Sequence, residues 1–366
     1  MEVESLVTAS LPPELIVDIL LRLPVKSLCR FRCVSKSWIA LITHSRFVKL
    51  HLARSKSQRL IISYGSLYSI DLESLSKNDD NVVALEIDFP KRELNPDPDP
   101  LMCICSCNGL LCILNAPNDL LLYNPSTREC KVIPEYASRN IYDPPTLHGF
   151  GYAESIDDYK FVKLDQPGNI VEIYSLRKDC WTSVQNDFRF SGNFYKGGFP
   201  LNGAIHWVIT TFEGSVLIGA FDLVEEKFKI LPPPPDITLK NECIYSLGLL
   251  RCCLCFLTEK DDRKNQFWVM KEYGVKASWN KMLIANPFSL LEPLCCLNDN
   301  ETMLLYIDLK QLVFCDPKDG KFKHVEVFGV IDEDVDSEDE WCDVLVCKES
   351  LVSPNYRNQC TTEGNP

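Results

Sequence analysis

The feature that most narrows the fold is a repeat. From about residue 60 onward the chain runs in short β-branched and aromatic stretches broken by Asn, Asp, Pro and Gly, the texture of many short strands. Within it a unit recurs: an apolar strand carrying an aromatic, a polar turn, then a second strand that often closes in proline. The segments are Tyr68-Ser69-Ile70-Asp71, Leu122-Tyr123-Asn124-Pro125, Ile173-Tyr174-Ser175-Leu176, Ala220-Phe221-Asp222-Leu223, Phe267-Trp268-Val269-Met270 and Val313-Phe314-Cys315-Asp316. Their aromatics are spaced 55, 51, 47, 47 and 46 residues apart. A period near 50 is that of propeller blades, units that bury their faces only by stacking on neighbours. Six units predict an all-β, propeller-like domain of about six degenerate blades. A trailing strand at Ser350-Leu351-Val352-Ser353 would complete a blade begun near residue 60 and remove the open sheet edge. A curved β-sandwich is the alternative architecture.

The first sixty residues read differently. Leu11-Pro12-Pro13-Glu14 opens a helix: prolines stand where no amide hydrogen is required, and an acidic side chain meets the helix N-terminus. Leu15, Ile16, Ile19, Leu20 and Leu23 then form one apolar face, which Pro24 ends. A short helix fits residues 26–32, with Leu28, Cys29 and Phe31. A third begins with Ser35 as N-cap and places Trp38, Leu41 and Ile42 at i, i+3 and i+4. Three short helices enclose little core, so their surplus apolar surface serves either a partner or the following domain, and periodicity favours neither. Charge separates the two parts as well. Residues 1–60 hold 10 Lys and Arg against 4 Asp and Glu, the rest 28 against 47: +6 and −19 within a total of −13. Opposite fields suggest an acidic partner for the first part and neutral or basic partners for the second.

Several function classes drop out. Met1-Glu2-Val3-Glu4-Ser5-Leu6 is acidic and lacks the apolar run of a secretory signal, and no stretch reaches the ~18 apolar residues of a membrane span. Cytoplasm or nucleus is the expected setting, with no membrane partner. Eighteen cysteines in 366 residues read as reduced thiols, because disulfide scaffolds are short and secreted. Cys103, Cys105 and Cys107 alternate and would share one face of a strand. Cys252-Cys253-Leu254-Cys255 has no second such pair for a four-ligand zinc site, so neither metal nor cofactor is expected. Nucleic acid fits neither part, since the basic segment interleaves its charge with core-type residues and offers no stacking set.

No catalytic residue is expected either. His206, beside Trp207, has no nucleophile and orienting acid with it and reads as a structural histidine. Asp157-Asp158 and Asp261-Asp262 read as turns, and no Gly-rich phosphate loop is present. Residues 232–235 form a stiff proline connector, and residues 95–100 an extended linker between blades. The run Asp332, Glu333, Asp334, Asp336, Glu338, Asp339 and Glu340 is either a solvated loop or a docking surface for a basic target. Phosphorylation of Ser337 would deepen its charge.

Leu11-Pro12-Pro13-Glu14-Leu15-Ile16, Ile19-Leu20-Leu21-Arg22-Leu23-Pro24-Val25-Lys26-Ser27-Leu28, Arg30-Phe31-Arg32-Cys33-Val34-Ser35-Lys36-Ser37-Trp38 and Leu41-Ile42 closely resemble the F-box of plant F-box proteins, over residues 11–50 without a gap. The resemblance implies that Leu11, Pro12, Leu15, Ile16, Ile19, Leu20, Leu23, Pro24, Val25 and Leu28 face an acidic Skp-type adaptor, and through it cullin and RING subunits. Trp38 completes that set by anchoring the third helix. The second part resembles the kelch-like F-box-associated domain of the same proteins. It does so through Ser106-Cys107-Asn108-Gly109-Leu110-Leu111-Cys112, Tyr123-Asn124-Pro125-Ser126-Thr127-Arg128, Gly149-Phe150-Gly151-Tyr152, Asp157-Asp158-Tyr159-Lys160-Phe161-Val162, Asn202-Gly203-Ala204-Ile205-His206-Trp207 and Trp268-Val269-Met270-Lys271-Glu272-Tyr273-Gly274-Val275 with Ser278-Trp279. Orthodox kelch blades carry paired glycines, for which only Gly197-Gly198 is a candidate here. Residues 65–72 also resemble the subgroup that restrains plant immunity by promoting turnover of intracellular immune receptors, which implies such a receptor as target.

The resemblance therefore predicts a non-catalytic substrate-recognition subunit of an SCF-type cullin–RING ubiquitin ligase. A small all-α F-box of three helices spans residues 11–50. An all-β domain over 60–354 captures a protein for ubiquitination and proteasomal degradation, and the ends, 1–10 and 355–366, are disordered. The competing functions are an adaptor-bound scaffold that binds without degradation and a ligand-binding propeller tethered by the F-box.

Overall fold

The computed structural model describes residues 11–64, 66–76, 82–89, 102–115, 119–134, 146–165, 170–186, 188, 190, 197–235, 245–250, 253–258, 264–285, 291–297, 302–308, 311–316, 321–329 and 343–355. Four helices come first: α1 (Pro13–Leu20), α2 (Val25–Phe31), α3 (Lys36–Thr43) and α4 (Ser45–Arg54). The Ser35 hydroxyl caps α3 by accepting the Trp38 amide at 3.2 Å, as its position predicts. α4 is one helix more than the three expected. Phe47 and His51 face the helical core while Val48 and Leu52 face the propeller, a face at i, i+1, i+4 and i+5 that a histidine and the charged Arg46, Lys49 and Arg54 blur in the sequence. Leu20, Leu21, Val25, Leu28, Ile42 and Phe47 form the helical core, joined by Leu351 from the far end of the chain.

The strands assemble into six four-stranded antiparallel blades. Blade 1 takes β26 (Asp343–Lys348), β1 (Gln58–Tyr64), β2 (Ser66–Asp71) and β4 (Leu85–Glu86). Blade 2 is β5 (Met102–Cys107), β6 (Leu110–Asn115), β7 (Asp119–Asn124) and β8 (Glu129–Ile133). Blade 3 is β9 (Thr146–Ala153), β10 (Asp158–Asp165), β11 (Ile170–Ser175) and β12 (Cys180–Gln185). Blade 4 is β13 (Phe199–Leu201), β14 (Ala204–Thr210), β15 (Val216–Asp222) and β16 (Lys227–Leu231). Blade 5 is β17 (Tyr245–Leu250), β18 (Cys253–Thr258), β19 (Lys264–Met270) and β20 (Trp279–Ala285). Blade 6 is β21 (Leu291–Leu297), β22 (Thr302–Ile307), β23 (Gln311–Cys315) and β24 (Phe322–Val325). A two-residue parallel pair, β3 (Val82–Val83) with β25 (Val327–Phe328), ties blades 1 and 6 at their rim.

Every aromatic of the sequence repeat falls on the third strand of its blade: Tyr68, Tyr123, Tyr174, Phe221, Trp268 and Phe314. Each blade's inward-facing residues meet those of the next, and six apolar clusters fill the six seams. First strands of successive blades meet around the axis, β26 with β5, β5 with β9 and β17 with β21. The chain end does close the ring, but through Asp343–Lys348 paired with β1, not through residues 350–353. That later stretch leaves the sheet to pack elsewhere.

The cysteine ladder also departs from expectation. A bulge at Ile104 shifts the register so that Cys103 opposes Ile113 while Cys105 opposes Cys112. One extra residue turns alternation into a switch of faces, so Cys103 packs toward blade 1 and Cys105 toward blade 3. Asn108-Gly109 and Asn202-Gly203 close the first hairpins of blades 2 and 4 with both residues left-handed (φ 52°, 86° and 50°, 73°), the backbone that two-residue hairpins favour.

Candidate adaptor-docking and target-facing surfaces

The helices sit on one end of the propeller, against the turns that join first to second and third to fourth strands. Arg32, just past the end of α2, pairs with Glu129 of β8 at 3.2 Å, and from α2 the Cys29 thiol donates to the Ser126 carbonyl at 3.7 Å. From α4, Lys49 pairs with Asp157 at 2.7 Å, and Val48 and Leu52 pack on the seam between blades 2 and 3. Asp18 of α1 takes both Arg22 (2.7 Å) and Arg54 (3.0 Å), and these two guanidinium groups hold its carboxyl below the ordinary value.

The expected adaptor set divides. Leu11, Leu15 and Ile19 are 54%, 51% and 49% exposed, and Pro12 and Pro24 are exposed too. Leu15 and Ile19 stand one turn apart on the outer side of α1. Ile16, Leu23 and Trp38 are half-buried against the helical core, Trp38 edge-on to Phe31 with centroids 5.4 Å apart. Leu20, Val25 and Leu28 are buried in that core and hold the helices together, offering almost no surface outward. The apolar stripe Leu15, Ile16, Ile19, Leu20 and Leu23 is split by the packing, Leu15 and Ile19 facing out and Leu20 facing in, which periodicity does not distinguish. Three further apolar side chains of the helical unit, Val34, Ile39 and Leu50, are exposed and were not foreseen. Ile39 follows Trp38 and falls off the i, i+3, i+4 series, which was the available signal.

The end of the propeller away from the helices carries the turn between the second and third strands of blade 4. There Phe212, 68% exposed, tops a turn closed by Thr211 N–H on the Ser215 carbonyl at 2.8 Å. No sequence pattern marked it. The acidic run Asp332, Glu333, Asp334, Asp336, Glu338, Asp339 and Glu340, with Ser337, lies outside the described residues, as do Asp261-Asp262, Cys252 and residues 95–100. Described residues flank the run at Gly329 and at Asp343, the end of β26 farther from the helices.

His206 has both ring nitrogens engaged, Nδ1 with the Phe199 carbonyl at 3.1 Å and Nε2 with the Tyr273 hydroxyl at 2.6 Å. Burial pulls its pKa down to about 4, so it is neutral and structural. Asp157 is left-handed in a turn, while Asp158 is buried and accepts from the Ser175 hydroxyl (2.6 Å) and the Arg177 amide (2.9 Å). Burial raises the pKa of the thiols of Cys103, Cys107, Cys112, Cys255 and Cys347. Among the described residues, no three His, Cys, Asp or Glu side chains converge as metal ligands, and no helix is long and apolar enough to cross a membrane.

Residues 9–50 match the model of the F-box domain, and residues 58–354 match that of the F-box associated beta propeller domain. The chain is 31% identical over 361 residues to the F-box protein CPR1 of Arabidopsis thaliana, covering 87% of this chain and 85% of that one. An F-box/kelch-repeat protein of the same plant is 31% identical over 304 residues, 75% of this chain and 79% of its own. A further F-box protein of Arabidopsis thaliana is 27% identical over 342 residues, covering 82% and 81%.

Proposed function

The chain belongs to the F-box proteins that carry an F-box associated beta propeller domain, and from that premise we infer that it is the substrate-recognition subunit of an SCF-type cullin–RING ubiquitin ligase. The observation that carries the reading is the exposed trio Leu11, Leu15 and Ile19 on a basic helical unit fixed to one end of the propeller. Such surface is costly to leave in water and suits the buried centre of an interface with an acidic Skp-type adaptor. The propeller's other end, where Phe212 is exposed, is left for a target protein, and the acidic residues 332–340 of the sequence suit one with a basic surface. Catalysis on its own residues has no part in this: the subunit raises the effective concentration of a bound protein beside the ubiquitin-charged enzyme, in cytoplasm or nucleus, and the captured protein is degraded.

An immune receptor as target rests on residues 65–72. Most of that stretch is β2, where Leu67 and Ile70 are buried in seams, so it speaks for blade packing more than for a target. Affinity purification from plant cells with the proteasome blocked, using the full chain and its Leu11→Ala/Pro12→Ala variant, tests the function. The variant should lose the adaptor, keep the target and raise target abundance. Equal adaptor recovery with the variant would refute the reading.

A further inference from the structure

Just beyond β26, residues 349–353 run between the helices and blade 2. Leu351, 2% exposed, belongs to the helical core with Leu28, Ile42 and Phe47, while its neighbour Val352 packs in the seam between blades 2 and 3. The Glu349 amide donates to the Ser57 carbonyl at 3.0 Å, and the Ser57 hydroxyl returns a bond to the Glu349 carboxylate at 3.0 Å. The Ser353 hydroxyl donates to Glu129, the carboxylate that also holds Arg32 at the end of α2. A Cβ at Gly109 would lie 2.3 Å from Ser350 Oγ and 2.5 Å from the Lys348 carbonyl, so only glycine lets the segment pass that hairpin.

Asn124, at the end of the third strand of blade 2, receives the segment. In blades 2, 3 and 4 the turn after the third strand is the same: the amides of Arg128, Asp179 and Glu226 donate to the carbonyls of Asn124, Ser175 and Asp222 at 2.8, 2.8 and 2.9 Å. The side-chain oxygen of the first residue caps each turn. Asn124 Oδ1 accepts from the Ser126 and Thr127 amides, Ser175 Oγ from Lys178, and Asp222 Oδ1 from Val224 and Glu225. Serine or aspartate therefore suffices for the turn, which needs an acceptor only. Asparagine adds a donor. Its Nδ2, on a fully buried side chain, reaches the Val352 carbonyl at 2.6 Å, the Ser350 carbonyl at 3.1 Å and Ser350 Oγ at 3.4 Å. Two amides before the oxygen and two carbonyls before the nitrogen fix which way the side-chain amide points.

We propose that residues 349–353 are a clasp, received by the Asn124 amide and anchored in the helical core by Leu351, that locks the helical unit and the propeller in one orientation. The clasp so sets where a propeller-bound protein is presented to the machinery docked on the helices. That consequence rests on the adaptor reading above, whereas the clasp itself does not.

Asn124→Asp keeps the cap, as Asp222 does in blade 4, and turns a carboxylate onto the two carbonyls; Leu351→Ala removes the anchor. Asp222→Asn is the control and Leu351→Met the conservative rescue. Fluorophores on non-natural residues at exposed Lys36 and Lys227 of the full-length chain report the distance between α3 and blade 4, with and without a Skp-type adaptor, and hydrogen exchange reports each unit separately. Both clasp variants should broaden the distance distribution and speed exchange in α1–α4 by about tenfold or more, a large-to-small change in a core being that disruptive. Blades 3–6 should stay protected, and the control and rescue should match the parent. A distribution as narrow as the parent's in both variants overturns the proposal, as does loss of protection spread through every blade. Failure of the parent to bind the adaptor would sink the proposed function yet leave the distance readout intact.

Discussion

Leu15→Ala and Leu20→Ala are expected to fail in opposite ways, although both residues lie on the apolar stripe of α1. Full burial of a leucine or isoleucine is worth about 1.5–3 kcal/mol. Leu15 and Ile19 still expose about half their surface, as does Leu11, so docking has about 0.7–1.5 kcal/mol to gain from each. Replacing all three by alanine should weaken adaptor binding by about 2–4 kcal/mol, roughly 30- to 1,000-fold, with unfolding free energy within about 0.5 kcal/mol of the parent. Leu20 is already buried against the other helices, so its truncation leaves a cavity and costs the helical unit about 2–5 kcal/mol, with binding lost only as a consequence. Calorimetric titration with a Skp-type adaptor gives the first quantity and thermal unfolding of the same samples the second. If Leu15→Ala lowers the melting temperature as far as Leu20→Ala, or if Leu20→Ala leaves melting unchanged while abolishing binding, the division into core and docking residues is wrong.

Lys160 of blade 3 reaches across a seam to the Leu223 carbonyl at 2.5 Å and Glu226 at 2.7 Å, so Lys160→Met should strand both acceptors and cost about 1–3 kcal/mol in chemical denaturation; an unchanged midpoint would deny the bridge its role. Acid should weaken the propeller through His148 and His206. Burial, helped at His148 by the nearby Lys163 charge, depresses both folded-state pKa values to about 4 against 6.5. Their contribution is full above about pH 6.5 and is lost as pH falls through 4, at most about 3 kcal/mol each, and a His148→Gln/His206→Gln variant should flatten stability over that window. Gly198→Ala would push a Cβ to 2.3 Å from Ile205 and 2.4 Å from Trp207 and should destabilise by about 1–3 kcal/mol or more, against about 1 kcal/mol for Gly203→Ala, where only the left-handed backbone objects; equal melting shifts would refute the packing account.

The ring was legible because each blade must repeat its seam. Tyr123, Tyr174 and Phe221 are buried in equivalent places, and equivalent burial writes a period into the chain. What stayed hidden depended on single residues acting against pattern. Ile104 flips a cysteine ladder through one bulge, invisible to alternation. α4 packs through Phe47, Val48, His51 and Leu52, but a histidine and the charges between them mask that face in the sequence. Leu351 reads as strand but serves the helices, a contact between residues more than three hundred positions apart that no local window samples. The adaptor set followed from likeness to a family, and only packing could tell Leu15 from Leu20. Phe212 carries no signature, since a lone aromatic in a turn looks the same whether it meets solvent or a partner.

Closure by the last strand gives synthesis a schedule. β1 is complete at Tyr64, but the strand that pairs with its inner edge begins at Asp343, roughly 280 residues later. At ~5–20 residues per second a ribosome takes on the order of 15–60 s to deliver it. For that interval Leu60, Ile61 and Ile62 sit on a strand with an open edge, a template for pairing with any other chain on the same polysome. The helices leave the ribosome before the propeller, yet Leu351, which fills their core, is made only after all six blades. A nascent chain of this protein thus leaves an unpaired edge at β1 and an unfilled core in its helices at the same time, and a ribosome that stalls anywhere before Asp343 releases a ring that cannot shut.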